Sequence, residues 1–330
     1  MTIRSLIGAT VLAGLTATPC LARPALGVWQ LPAGLFGQPS EHFNKPFAID
    51  DLTIYQGPRG MIDLTNALAG ARKTGTHVIL GIGPLPRYAA GPGNRFSLDR
   101  WEAAMKFWCH AADNGRSECF DFTPYVNDGT LQGLWIMETP RDDNDPGLRS
   151  GSKPGIATIQ QMAAFAKSLW PNVKVAVDTV LPCYLTQNGG KGNIDIAMFE
   201  ISTRNQLSNI EGCNGATYAT GAQFVQAQTT MLRQAGIAYT LGMPVVQGAG
   251  PSVQHATLQS FKYYAEVAAR DSNALGFLAW LYADPSEPTV SNGVWTWPNF
   301  WNEGANPGVT AAVREVESCF AGGLCPSAPP

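Results

Sequence analysis

Eight short apolar runs, most of them separated by stretches of helical period, constrain this chain more than any other feature. They are GVWQL (27–31), LTIYQ (52–56), HVILGIG (77–83), GLWIMET (133–139), KVAVDTV (174–180), IDIAMFEIS (194–202), AYTLGMPVV (238–246) and LGFLAWLYAD (275–284). Runs that are apolar on both faces read as strands of a parallel sheet covered by helices. Helical patterns are expected over 63–74, with Asp63 as N-cap, over SLDRWEAAMKFWCHAA (97–112), and over 156–170, 220–236, 252–270 and 307–320. The fifth-to-sixth connection, 181–193, is the weak point, being too short and Gly-rich for a good helix. Eight such units in about 300 residues fit a single (β/α)8 TIM barrel, whose typical size is about 250. The alternative, a doubly wound open sheet, needs more residues for its edge strands, and no Gly-rich dinucleotide loop follows the first run.

The ends of the chain read differently from its middle. Arg4, an apolar stretch from Leu6 to Ala17 and the small-residue site around Ala22 have the layout of a signal peptide over 1–22. That stretch is shorter than the about 20 residues a spanning helix needs, so no membrane insertion of the mature chain is expected. The barrel domain is placed at 23–320, and 321–330, ending PSAPP, reads as a flexible C-terminal tail. Loss of 1–22 removes one base and no acid, leaving 21 basic against 25 acidic residues, a formal charge of −4. That balance lacks the basic footprint of a nucleic-acid partner. A secreted or periplasmic monomer is the expectation.

Six cysteines remain beyond the leader: Cys109, Cys119, Cys183, Cys213, Cys319 and Cys325. An even number behind an export signal suggests disulfides. The preferred pairing is 109–119, 183–213 and 319–325, because each bridge closes a short segment without crossing another; free buried thiols are the alternative. No metal site or cofactor is expected: the four histidines are scattered and there is no CxxC pair. Asp142, Asp143 and Asp145 lack the Gly and distal Glu of a calcium loop.

In a barrel of this kind the chemistry sits at the C-terminal ends of the strands. The polar residues there are Gln30, Gln56, Arg59, Arg87, Tyr88, Glu138, Asp178, Glu200, Gln247, Tyr282 and Asp284. Four are carboxylates from four different strands. Glu138 is the leading candidate, because an acid at the end of a run as apolar as LWIM is costly to place unless something uses or pairs it. Its other reading is an ion pair with Arg59, Arg87 or Arg141. Asp178 shares its side of the strand with Ala176 and opposes Val175 and Val177, the parity of an acid facing the narrow interior. Glu200 is the other candidate partner. Aromatics form a second signal: Trp295, Trp297, Phe300 and Trp301 crowd one loop, and Trp29, Tyr88, Tyr184, Trp280 and Tyr282 lie near the same mouth. Apolar sugar faces pack on such rings; a loop burying its own tryptophans is the alternative. There is no GxSxG, and no histidine ends a strand.

With Glu138 ending the fourth strand and Trp280 within the eighth, the layout resembles the TIM-barrel glycoside hydrolases of exported polysaccharide-degrading systems. In their large retaining clan the acid/base glutamate ends strand four, usually as Asn-Glu-Pro. Here the segment is Met137-Glu138-Thr139-Pro140, without the asparagine. That clan's nucleophile is a glutamate on strand seven, where this chain has TLGMPVVQ and no acid. The resemblance therefore implies a carbohydrate substrate and a carboxylate pair of Glu138 with Asp178 or Glu200, lined by Trp29, Arg59, Arg87, Tyr88, Trp280, Tyr282, Asp284, Trp295 and Trp297. A non-catalytic carbohydrate-binding TIM barrel is the alternative.

Overall fold

A computed structural model describes residues 24–29, 52–56, 60–82, 96–111, 117–138, 154–186, 191–201, 210–244, 247–248, 257–280, 294–295, 303–304, 307–323 and 325. In chain order the elements are β1 (Ala25–Trp29), β2 (Leu52–Gln56), α1 (Met61–Thr74), β3 (His77–Gly81), α2 (Leu98–Met105), β4 (Cys109–Ala111), β5 (Ser117–Cys119), α3 (Thr123–Asn127) and β6 (Leu131–Glu138). There follow α4 (Ile156–Leu169), β7 (Val175–Thr179), β8 (Ile196–Glu200), β9 (Ile210–Glu211), β10 (Thr217–Tyr218), α5 (Gly221–Ala235), β11 (Ala238–Pro244) and β12 (Gln247–Gly248). The last are α6 (Leu258–Arg270), β13 (Ala274–Trp280), β14 (Val294–Trp295) and α7 (Val309–Phe320). Eight parallel strands close in the order β1-β13-β11-β8-β7-β6-β3-β2, a (β/α)8 barrel.

Strand alternation sorts the side chains into two cores. Ala25, Leu52, Ile79, Trp135, Ala176, Ile196, Met198, Leu275 and Leu278 form the cluster inside the barrel. Val78, Leu80, Leu134, Val175, Val177, Ala197, Phe199, Leu241 and Phe277 face outward, into the layer shared with the helices. This double burial is why the strands are near-continuous apolar runs. The helices answer with apolar stripes at helical spacing: Leu64, Ala67, Leu68 and Ala71 on α1, and Phe224, Val225 and Leu232 on α5. Where β1 meets its neighbours the backbones are too close for side chains. A Cβ on Gly27 would run into the Leu52 carbonyl, and one on Gly276 into the Ala25 carbonyl.

At the opposite end of the barrel from the candidate acids, polar clamps fix the strand starts. Asp195, just before β8, accepts from the Val175 amide at 3.0 Å and pairs with Lys167 at 2.8 Å and Lys191 at 3.1 Å. Burial opposes its charge, but the Lys167 bond, the Val175 amide and Lys191 outweigh it and hold the carboxyl below its usual range. Asp271, between α6 and β13, is held by Arg233, by the Tyr239 hydroxyl at 2.7 Å and by the Asn273 amide at 2.9 Å.

The three expected disulfides are present: Cys109–Cys119, Cys183–Cys213 and Cys319–Cys325. The last ties Cys325 back to α7. Among the described residues no helix is long and apolar enough to cross a membrane.

Three local expectations are corrected. The first strand begins at Ala25, two residues before GVWQL, because Ala25 and Leu26 pair with Gly276 and Phe277 of β13. The first helix caps at Gly60, and Asp63 lies within its first turn, where its charge favours the helix N-terminus without capping it. The helix after Ser97 ends at Met105 rather than running to Ala112. Residues 106–108 tighten into a 3-10 turn, and Cys109–Ala111 becomes a strand paired with Ser117–Cys119. The disulfide joins the two cysteines that stand opposite each other in this hairpin.

Candidate active site

Three of the candidate acids lie at the C-terminal ends of three successive barrel strands: Glu138 and Glu200 are the last residues of β6 and β8, and Asp178 is the last but one of β7. Glu138 and Asp178 are Cα partners, so they stand at the same level of the sheet. Asp178 in turn pairs with Met198, which places Glu200 one pleat nearer the mouth, opposite Gly242 of β11. The expected parity of Asp178 holds: Ala176 lies in the inner cluster and Val175 and Val177 in the outer one, so the alternation turns Asp178 inward. It is 6 % exposed, whereas Glu200 is half-buried. Of Glu138 only the backbone is described.

The level of Glu138 depends on a β-bulge. Trp135 pairs with Ala176, but the next pair is Met137 with Val177, so Ile136 is an extra residue on β6. Trp135 belongs to the inner cluster, while Ile136 and Met137 both belong to the outer one. Plain alternation from Trp135 would set Glu138 out of step with Asp178; the bulge brings the two into register. The Trp135 indole N–H donates to the Met137 carbonyl across the bulge, at 3.2 Å.

The loop leaving β7 is fixed from several sides. The Leu181 amide donates to the Thr179 hydroxyl oxygen at 3.0 Å, and the Cys183 amide donates to the Gln228 side-chain carbonyl at 2.9 Å. Cys183 and Cys213 then join the loop after β7 to the segment after β8, both leaving the C-terminal ends of their strands. Tyr184, half-buried, sits in the short 3-10 turn of this loop. The disulfide is therefore a brace of the same mouth that carries Asp178 and Glu200.

Of the candidate aromatics at the mouth, the backbones of Trp29, Tyr184, Trp280 and Trp295 are described. Trp29 and Trp280 end β1 and β13, each one residue beyond the Val28–Ala279 pair, and so adjoin across neighbouring strands. Trp295 lies in β14, paired with Gln247 of β12. This ribbon joins the segment after the seventh barrel strand to the segment after the eighth, an association that no local pattern signals. Arg59, Arg87, Tyr88, Tyr282, Asp284 and Trp297 lie outside the described residues. A depression of about 700 Å³ lined by Lys106, Glu118, Phe120, Asp121 and Trp170 opens elsewhere, near the start of β7. Strand-end chemistry, rather than that depression, locates the candidate site. Among the described residues no three His, Cys, Asp or Glu side chains gather as a metal-ligand group.

No family model matches the chain, and no curated protein matches it in sequence. Among solved structures it is similar to the endo-1,4-β-mannanase from Rhizomucor miehei, with a TM-score of 0.51 at 11 % identity, over 90 % of this chain and 95 % of that one. A psychrophilic glycoside hydrolase family 10 endo-β-1,4-xylanase gives 0.51 at 9 % identity, over 87 % and 96 %. The intracellular xylanase from Thermoanaerobacterium saccharolyticum gives 0.50 at 11 %, over 84 % and 94 %. At such identities the likeness is one of fold: the chain has a (β/α)8 TIM barrel.

Proposed function

We propose that this protein is a secreted glycoside hydrolase that cleaves a polysaccharide or oligosaccharide with a pair of carboxylates, Glu138 and Glu200. The observation that carries the reading is the run of acids on three successive strand ends, with Glu138 and Asp178 in register and Glu200 one pleat higher. Glycosidic cleavage needs one carboxyl group to protonate the leaving oxygen and another to act on the far side of the sugar. Glu138 is assigned as the acid. Glu200 stands two strands away, roughly 10 Å at about 4.8 Å per strand spacing, and is nearer solvent than Asp178. Two strand spacings are closer to the about 6.5–9.5 Å between the carboxyl groups of inverting enzymes, where the second acid activates water, than to the about 5–5.5 Å of retaining ones.

Asp178 lies on the strand between them and is too enclosed to meet a substrate. Trp29, Trp280, Trp295 and Trp297 are proposed as sugar-packing rings, with Arg59, Arg87, Tyr88, Tyr282 and Asp284 as polar contacts. The leader pattern of residues 1–22 and the three disulfides support export, with residues 23–320 as the mature barrel and 321–330 as its tail.

The test is a panel of glycans that includes β-1,4-linked mannan and xylan, scored for new reducing ends. Glu138→Gln and Glu200→Gln are expected to lose about 10²–10⁴-fold in rate while remaining folded, and the first product of the wild type should be the inverted anomer. A retained anomer would reject Glu200 in favour of a closely spaced pair. A second reading, a non-catalytic carbohydrate-binding barrel, is favoured by β11, which ends Leu241-Gly242-Met243-Pro244 without an acid. Glycan binding by the wild type with no new reducing ends would select it.

A further inference from the structure

We infer that Trp135 is a positioning residue that sets the catalytic register of Glu138. The inference rests on the assignment of Glu138 as the acid. The residues between Trp135 and Glu138 are Ile136 and Met137, both apolar and both buried in the outer core. A regular strand would place Trp135 and Met137 on one face and Ile136 and Glu138 on the other. Here the extra residue puts Ile136 and Met137 on the same face, and Glu138 becomes the partner of Asp178.

A bulge leaves backbone groups out of the ladder, and a buried carbonyl without a partner is costly. Trp135 supplies a partner from within the bulge. Trp135 is 5 % exposed, packed in the inner cluster with Ala176, Ile196 and Met198, and its Nε1–H reaches the Met137 carbonyl at 3.2 Å. The neighbour on β7 is the small Ala176, which leaves room for the indole inside the barrel. One side chain thus fills the floor beneath Asp178 and fastens the peptide next to Glu138. Phenylalanine or leucine would fill the floor but could not hold the carbonyl. The requirement for an indole at this position is therefore one of hydrogen bonding, over and above volume.

The test uses two variants of the full-length mature protein. Trp135→Phe removes the N–H and part of the ring. Replacement of Trp135 by benzothienylalanine removes only the N–H, and keeps the test open where the smaller ring fails to fold. The crystal structure of either variant reads the register without reference to activity: Glu138 is expected to leave its pairing with Asp178. In the kinetics, kcat is expected to fall by tens of fold with KM within about twofold, because a shift near 1 Å at a reacting group can cost about 10²-fold. Unchanged Glu138–Asp178 pairing in the variant crystal overturns the inference, as does an unchanged kcat. Glu138→Gln is run beside them. If that variant keeps full activity, the assignment of the acid fails, and the crystal register still decides the role of Trp135.

Discussion

Removal of the Cys183–Cys213 bridge, as the double variant Cys183→Ser/Cys213→Ser, is expected to cost more stability than removal of either other disulfide. The bridge spans 30 residues, against 10 for Cys109–Cys119 and 6 for Cys319–Cys325. The conformational freedom that a crosslink takes from the unfolded chain grows with the logarithm of the loop it closes. The resulting stabilisation is about 3.6 kcal/mol for the longest loop, about 2.7 for the middle one and about 2.2 for the shortest. Cys183 and Cys213 are also buried, so the serine hydroxyls meet an enclosed site and add to the loss. Urea unfolding of the three double variants, each at equal slope, gives the ranking directly. A smaller loss for the 183–213 pair than for the 319–325 pair would refute the chain-entropy argument. The functional consequence is separable: because this bridge braces the loop after β7, the 183–213 variant should lose turnover at temperatures where it is still folded, and the 319–325 variant should not.

Two further outcomes follow from the barrel itself. Asp195→Asn removes a charge shared by Lys167, Lys191 and the Val175 amide, and should cost about 2–3 kcal/mol at neutral pH, at the low side of broken buried pairs because both lysines keep some solvent. The folded carboxyl titrates below its unfolded value, so this contribution is complete above the unfolded pKa of about 3.9 and fades as pH falls through the lower folded value. Thermal midpoints of wild type and variant should therefore converge only in that acid range; a gap that is constant with pH would reject the ionic account. Gly276→Ala forces a methyl group into the Ala25 carbonyl and should prevent closure of the barrel between β1 and β13. Soluble Gly276→Ala protein with a wild-type melting point would show that those strands can part at little cost.

The strands were legible because a barrel buries both of their faces, so each announces itself as an apolar run whatever its neighbours do. Within such a run parity is still readable where small and branched residues alternate, as in Val175-Ala176-Val177-Asp178, and the inward placement of Asp178 follows from it. In Leu134-Trp135-Ile136-Met137 every residue is large and apolar, so nothing local marks where the bulge falls. The register of Glu138 with Asp178 emerges only when β6 is laid against β7. The hairpin at Cys109–Cys119 was hidden for a related reason: Lys106 to Ala111 continue a helical pattern, and the long-range tie between the two cysteines overrides it. The β12–β14 ribbon joins segments separated by more than 40 residues, beyond the reach of any periodicity.

Glu138 is proposed as the proton donor of a glycosidase. The most direct measurement of that role is the release of new reducing ends from the glycan panel by wild type and by Glu138→Gln, at equal folded concentration. Cleavage of at least one glycan by the wild type is expected, with a loss of at least about 10²-fold in the variant. Equal rates from the two proteins would contradict the assignment.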